Sequence, residues 1–264
     1  MNDAILMRAD GVALDLAHEV RRRVGDLVSG TDSLVEALRV RLSRTHDEET
    51  EQTLCQVDAE VDGRRVRVQR LAADARLAGD RLVEGLRQRI AEVSLEWRPR
   101  PWTDRADAPE ELPAATREDV RPATVGWAER AGRAMLPAIA RIKEPLLVWC
   151  APEVAVRTLD AMDYQAHLFT DPSTEQDSVV YRAGPTGYRL ASTAPESAPP
   201  RAPRYNASLL TLCPRPAPRL TDHEAVERCE QSALSALFYA DPSTGRGRLL
   251  YRRFDGRFGL VRGE

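Results

Sequence analysis

Lysine is all but missing from these 264 residues: Lys143 is the only one, so arginine supplies 37 of the 38 basic side chains. A formal net charge of −3 gives no bulk basic signal for nucleic acid. The arginine bias suits a GC-rich genome, and it also supplies planar forks for phosphate contacts; composition does not separate the two causes. The four cysteines, Cys55, Cys150, Cys213 and Cys229, form no CxxC pair. They read as reduced packing residues rather than as a metal or disulfide set. Long apolar runs are absent, the longest being Leu146–Ala151, far short of a membrane span. Met1–Gly11 lacks a basic start followed by a hydrophobic segment. A cytoplasmic protein without a membrane partner is therefore expected.

Catalytic signatures are missing as well. There is no GxSxG elbow, no HExxH and no glycine-rich phosphate loop, and His18, His46, His167 and His223 are scattered over different segments. Asp47, Glu48, Glu49 and Glu51 cluster beside His46, but loop carboxylates without fixed spacing read as a solvated tip rather than a metal site. No catalytic residue, metal, cofactor or small-molecule substrate is expected.

What the chain does contain is a hairpin written twice. Phe169-Thr170-Asp171-Pro172-Ser173-Thr174 leads to Val179-Val180-Tyr181-Arg182, and seventy residues on Tyr239-Ala240-Asp241-Pro242-Ser243-Thr244 leads to Leu249-Leu250-Tyr251-Arg252. Asp at the first turn position can cap its own backbone while Pro fixes φ at the second, which favours a type I turn. Each repeat is expected to hold an entering extended segment, a helix (Glu153–Met162, His223–Ser232) and three strands. Proline-rich stretches divide the chain: a linker at 96–138 separates an N-terminal block at 1–95 from repeat 1 at 139–192, and a second linker at 193–208 precedes repeat 2 at 209–264.

The N-terminal block reads β-α-β-β-β-α. Leu16, Val20, Val24 and Leu27 recur at helical spacing. Leu38/Val40/Leu42, Cys55/Val57/Ala59/Val61 and Val66/Val68 alternate with polar residues, and Asp62-Gly63 is a two-residue hairpin signal. Ala75, Ala78, Leu82, Leu86, Ile90 and Val93 form the stripe of a closing helix. One sheet face is polar, so both helices should cover the other. On the polar face Arg39, Arg41, Arg65 and Arg67 flank Asp58 and Glu60; cross-strand pairing and RNA contact both explain them. On the helices, Arg21, Arg22, Arg23, Arg76, Arg81 and Arg87 lie off the apolar stripes and Arg89 lies at a stripe edge, a set suited to gripping RNA backbone.

These residues carry a resemblance. The N-terminal block followed by a linker and small tail domain resembles the long ribosome hibernation-promoting factors, also described as the sigma-54 modulation or ribosome-associated inhibitor family. Arg141-Ile142-Lys143, the F-x-D/N-x-x-T turn and Leu250-Tyr251-Arg252-Arg253-Phe254-Asp255-Gly256-Arg257-Phe258-Gly259-Leu260-Val261 match its tail motif. Repeat 1 departs at Arg182-Ala183-Gly184-Pro185-Thr186-Gly187, and Gly85 and Gln88 stand where the family usually has Lys and Arg. Two tandem tails resemble mycobacterial-type members associated with hypoxia and dormancy. The resemblance implies an α+β chain that binds rRNA and proteins of the small ribosomal subunit in the messenger channel and decoding region. Such a factor blocks messenger and transfer RNA and stabilises idle 70S ribosomes under stress. The two repeats are expected to pair in cis as a pseudo-dimer through Phe169, Tyr181, Tyr239 and Tyr251, leaving a monomeric chain. The alternative reading is a stress-induced RNA- and protein-binding adaptor that does not act at the decoding centre.

Overall fold

The computed structural model describes residues 5–47, 50–94, 139–183, 186–193, 206–232 and 234–263. The linker at 96–138, the stretch at 195–203, the loop-tip residues Glu48 and Glu49 and the Gly184-Pro185 turn lie outside the described residues. The chain divides into two compact units, the first built on residues 1–100 and the second on most of the remainder.

The first unit runs β1 (Leu6–Asp10), α1 (Leu14–Ser29), β2 (Val35–Asp47), β3 (Thr50–Val61), β4 (Arg64–Ala72) and α2 (Ala75–Ser94). Its sheet has the order β1-β2-β3-β4, with β1 parallel to β2 and the remaining pairs antiparallel. The alternating Leu38, Val40, Leu42, Cys55, Val57, Ala59, Val61, Val66 and Val68 share one core with Ala17, Val20 and Val24 of α1 and Ala78, Leu82, Leu86 and Ile90 of α2. Both helices therefore cover one sheet face. Burying each such Val or Leu stabilises the fold by about 1.5–3 kcal/mol. Two glycines let α2 approach closely. A Cβ at Gly79 would lie 2.8 Å from Val20 Cγ2, and one at Gly85 would lie 2.8 Å from Val68 Cγ1. Gly85 thus faces the sheet, where no longer side chain fits. Asp62 and Gly63 turn the β3–β4 hairpin with φ of 49° and 73°, the left-handed pair that such a two-residue turn requires.

The remainder of the chain contains β5 (Ile139–Lys143), α3 (Pro152–Ala161), β6 (Ala166–Asp171), β7 (Gln176–Arg182), β8 (Tyr188–Ser192), β9 (Thr211–Leu212), α4 (Asp222–Gln231), β10 (Ala236–Ala240), β11 (Gly247–Arg252) and β12 (Phe258–Arg262), and the strands belong to the second unit. Its two sheets have the orders β6-β7-β8-β9 and β10-β11-β12-β5. Neither is made of one repeat alone. The entering strand of repeat 1, β5, pairs parallel with β12 of repeat 2 (Leu260 opposite Ile142), and the entering strand of repeat 2, β9, pairs parallel with β8 of repeat 1 (Leu190 opposite Leu212). Each segment then returns to its own repeat, Trp149 bridging Thr170 and Arg219 bridging Ala240. Every one of these pairings recurs at an offset of seventy residues, so the unit has a pseudo-twofold axis.

The two sheets also share an apolar layer. Leu168, Val179, Tyr181 and Ala183 of repeat 1 form one cluster with Ala217, Ala236, Phe238, Ala240 and Leu249 of repeat 2, and Tyr251 packs against it. On the opposite face of the repeat 2 sheet, Leu237, Tyr239, Leu250, Phe258 and Leu260 pack on Ala225, Val226 and Cys229 of α4. Ile139 of β5 packs there too. Of the four aromatic residues expected at the pairing surface, Tyr181 and Tyr251 lie in the shared layer. Tyr239 lies on the helix-facing side, where its hydroxyl donates to Asp222 Oδ1 at 2.6 Å. Phe169, one residue along from Leu168, takes the corresponding alternate position and is fully buried.

The hairpin turns are as the Asp-Pro-Ser-Thr sequence predicts, with one addition. Asp171 Oδ1 accepts from the Ser173 N–H at 2.8 Å, and Asp241 Oδ1 from the Ser243 N–H at 3.0 Å and the Thr244 N–H at 2.8 Å. A further residue then enters the left-handed region, Glu175 at φ 59° and Gly245 at φ 71°. Because a non-glycine residue is disfavoured there by roughly 1 kcal/mol, Glu175→Gly is expected to raise the unfolding free energy of the second unit by about that amount, measured by urea denaturation. Hydrogen bonds from the Ser243 hydroxyl, then from Thr244 and the Ser243 amide, hold the Asp241 carboxyl at about 2 against an ordinary 3.8. A depressed pKa contributes stability that is present above the unfolded value and is lost as pH falls through the folded one. The melting temperature of the wild type should therefore exceed that of Asp241→Asn at pH 6, and the difference should shrink between pH 4 and pH 2.

Candidate nucleic-acid interface

The basic side chains of the first unit fall on two surfaces. On the helix side, α1 carries Arg22, exposed and paired with Asp26 at 2.9 Å, and Arg23, paired with Asp80 of α2. Arg21 is partly exposed. Arg76 of α2 reaches Glu19 of α1 at 3.8 Å, and Arg87 pairs with Glu84 at 2.6 Å. Arg81 is exposed and makes no ion pair with another described residue. Arg89 differs from the rest: it is only 4% exposed, with its Nη1 donating to Glu92 at 3.1 Å. Its stripe-edge position turns inward, so the surface set is Arg21, Arg22, Arg23, Arg76, Arg81 and Arg87. Two of these pairs, Arg23–Asp80 and Arg76–Glu19, fasten the helices side by side, as does the contact of Gly79 with Val20.

On the sheet side, register places Arg39 and Arg67 on either side of Asp58, with Arg67 Nε donating to Asp58 Oδ1 at 2.5 Å. Arg65 stands opposite Glu60. The cross-strand pairing expected from the sequence is therefore present at Arg67–Asp58, whereas Arg41 stands opposite Gln56. The parallel β1–β2 pairing adds a residue that the pattern of the sequence did not single out: Arg8 stands beside Arg41, its own Nε donating to Asp10 Oδ2 at 2.9 Å. Only the parallel register reveals this neighbour, because Arg8 and Arg41 belong to segments separated by the whole of α1.

Exposed arginine–carboxylate pairs of this kind contribute roughly 0–1 kcal/mol in water. A phosphate can displace the carboxylate at small cost, and the planar guanidinium then forms a bidentate contact with it. Both surfaces can therefore bind a polyanion, the helix side with six arginines on two adjacent helices. Burial pushes the Cys55 thiol up to about 12 and the Cys229 and Cys150 thiols up to about 11. All four cysteines are free, and no group of His, Cys, Asp and Glu among the described residues is arranged to hold a metal ion. His167, largely buried, is held neutral with its pKa lowered to about 4. No described helix is long and apolar enough to cross a membrane.

Residues 135–190 match the family model of the sigma 54 modulation/S30EA ribosomal protein C terminus. The chain is 34% identical over 249 residues to the dormancy associated translation inhibitor of Mycobacterium tuberculosis, in strains CDC 1551 and H37Rv alike, covering 93% of this chain and 82% of that protein. Among solved structures, the N-terminal domain of Thermus thermophilus Protein Y is 20% identical with a TM-score of 0.28, covering 33% of this chain and 93% of that one. With residues 135–190 matched by the family model and a relative 34% identical over 93% of the chain, the chain belongs to the sigma 54 modulation/S30EA ribosomal protein family.

Proposed function

We propose that this protein inhibits translation by binding the small ribosomal subunit in its messenger channel and decoding region, excluding messenger and transfer RNA and holding idle 70S ribosomes intact during stress or dormancy. The observation that carries this reading is the 34% identity across 93% of the chain to proteins named dormancy associated translation inhibitors. The N-terminal β-α-β-β-β-α unit supports it, since six surface arginines on two adjacent helices suit a sequence-indifferent grip on RNA backbone. The pairing of the two repeats bears on the outcome for the ribosome. In long factors with one tail domain, the family resemblance implies that tails of two copies pair and join two ribosomes. Here a linker at 193–208 holds both partners in one chain at an effective concentration on the order of millimolar. The factor then acts on single ribosomes.

Two measurements test this. Replacing Arg21, Arg22 and Arg81 together by alanine is expected to weaken cosedimentation with small subunits by about ten-fold or more per lost phosphate contact. The slope of log affinity against log salt should fall by roughly one for each contact. Unchanged affinity would shift the grip to Arg8, Arg39 and Arg41 on the sheet side, and absence of chemical protection in the decoding region would favour an adaptor that acts elsewhere. In sucrose gradients with saturating protein, 70S ribosomes should resist dissociation at low magnesium without a ribosome-dimer peak; a protein-dependent dimer peak would overturn the single-ribosome reading.

A further inference from the structure

The pseudo-twofold axis of the second unit brings one position face to face with its own counterpart. Asp177 of β7 and Gly247 of β11 are related by the seventy-residue repeat, and they meet: the Gly247 N–H donates to Asp177 Oδ2 at 2.8 Å, and a Cβ at Gly247 would lie 2.7 Å from Asp177 Cβ. The Asp177 carboxylate, 5% exposed, is closed in by Arg246 Nε at 2.7 Å and by the Thr170 hydroxyl at 3.0 Å. In repeat 1 the residue corresponding to Arg246 is Gln176. The site therefore needs one carboxylate from repeat 1, and one guanidinium and one bare backbone from repeat 2.

A second contact has the same polarity. Arg262 at the end of β12 pairs with Glu144 just after β5, its Nε donating to Glu144 Oε1 at 2.6 Å. The corresponding residues on the other side of the axis are Ser192 and Pro214, which form no ion pair. Both acids belong to repeat 1 and both arginines to repeat 2.

We infer that the pairing surface is heterotypic: each repeat accepts the other repeat and rejects a second copy of itself. Two copies of repeat 1 would set two Asp177 carboxylates against each other in a buried site without a cation, a strongly unfavourable arrangement. Two copies of repeat 2 would set two Arg246 guanidiniums around paired glycines, with neither carboxylate present. Opposed like charges of this kind discriminate among partners that share one apolar surface. Two chains can then associate through their tails only by exchanging repeats reciprocally, repeat 1 of each with repeat 2 of the other. This pairing rule is independent of ribosome binding, and its test contains no ribosome.

The test uses full-length variants, followed by thermal unfolding of the second unit and by native mass spectrometry. Gly247→Asp is expected to lower the transition by on the order of 10 °C. Exchanging the four residues across the axis (Q176R, D177G, R246Q, G247D) rebuilds the carboxylate, guanidinium and bare backbone with opposite polarity, Ala240 standing where Thr170 stood, and should recover more than half of that loss, which a purely local role for Gly247 would not allow. Mixing G247D with D177G should give two-chain species containing one of each, in excess over self-dimers of either. The inference is overturned if G247D unfolds with the wild type, if the four-residue exchange recovers less than half of the loss, or if self-dimers are as abundant as mixed ones.

Discussion

The apolar face that each tail hairpin turns away from its own helix is the constraint on which the second unit depends. In repeat 1 that face is Leu168, Val179 and Tyr181; in repeat 2 it is Phe238, Leu249 and Tyr251. A small sheet with one helix on one side leaves the other side uncovered, and a domain of two layers must bury both apolar faces. Here the cover for each sheet is the other sheet. The exchange of β5 and β9 adds a backbone component, since separating the repeats would also strip an edge strand from each sheet. The pair thus behaves as one folding unit whose two halves are not independent.

Within that symmetry the two repeats have diverged, and most clearly in their polar groups. In repeat 2, Asp222 at the first position of α4 accepts from Tyr239 and from Arg248 Nη1 at 2.5 Å, and Arg248 Nη2 reaches Asp241 Oδ2 at 2.6 Å. A capping box between Thr221 and Glu224 fixes the start of the same helix. The corresponding residues in repeat 1 are Pro152, Phe169 and Ser178 around Asp171, whose Oδ2 is buried without a hydrogen-bond partner among the described residues. Repeat 2 therefore ties helix, strands and turn together by charge-assisted hydrogen bonds, while at the same places repeat 1 has Pro152, Phe169 and a neutral contact between the Ser178 and Ser192 hydroxyls at 2.8 Å.

The N-terminal unit poses a different problem, because its arginines serve the fold and suit a polyanion at the same time. Arg23–Asp80 and Arg76–Glu19 hold α1 beside α2, and Arg67–Asp58 spans two strands. Such exposed pairs are weak in water, so the same guanidiniums remain available to phosphate. A net charge near neutrality is compatible with RNA binding on these terms, provided the carboxylates can yield their partners locally.

The sequence by itself determined the elements of this protein. Period-2 and period-3.6 patterns gave the β-α-β-β-β-α order and both α1 and α2, because each of those elements has one apolar and one polar face. Asp62-Gly63 and the two Asp-Pro-Ser-Thr turns were legible because their backbone conformations demand those residue types. The placement of Phe169 and Tyr239 was not legible. β10 is buried at all five positions, and a strand with no polar side does not declare which face meets its helix and which meets its partner. Arg8 beside Arg41 and the inward turn of Arg89 likewise required register and packing. Tertiary structure alone decided the exchange of β5 and β9: two homologous repeats offer an entering strand two equivalent sheet edges, and the local pattern of the strand does not distinguish them.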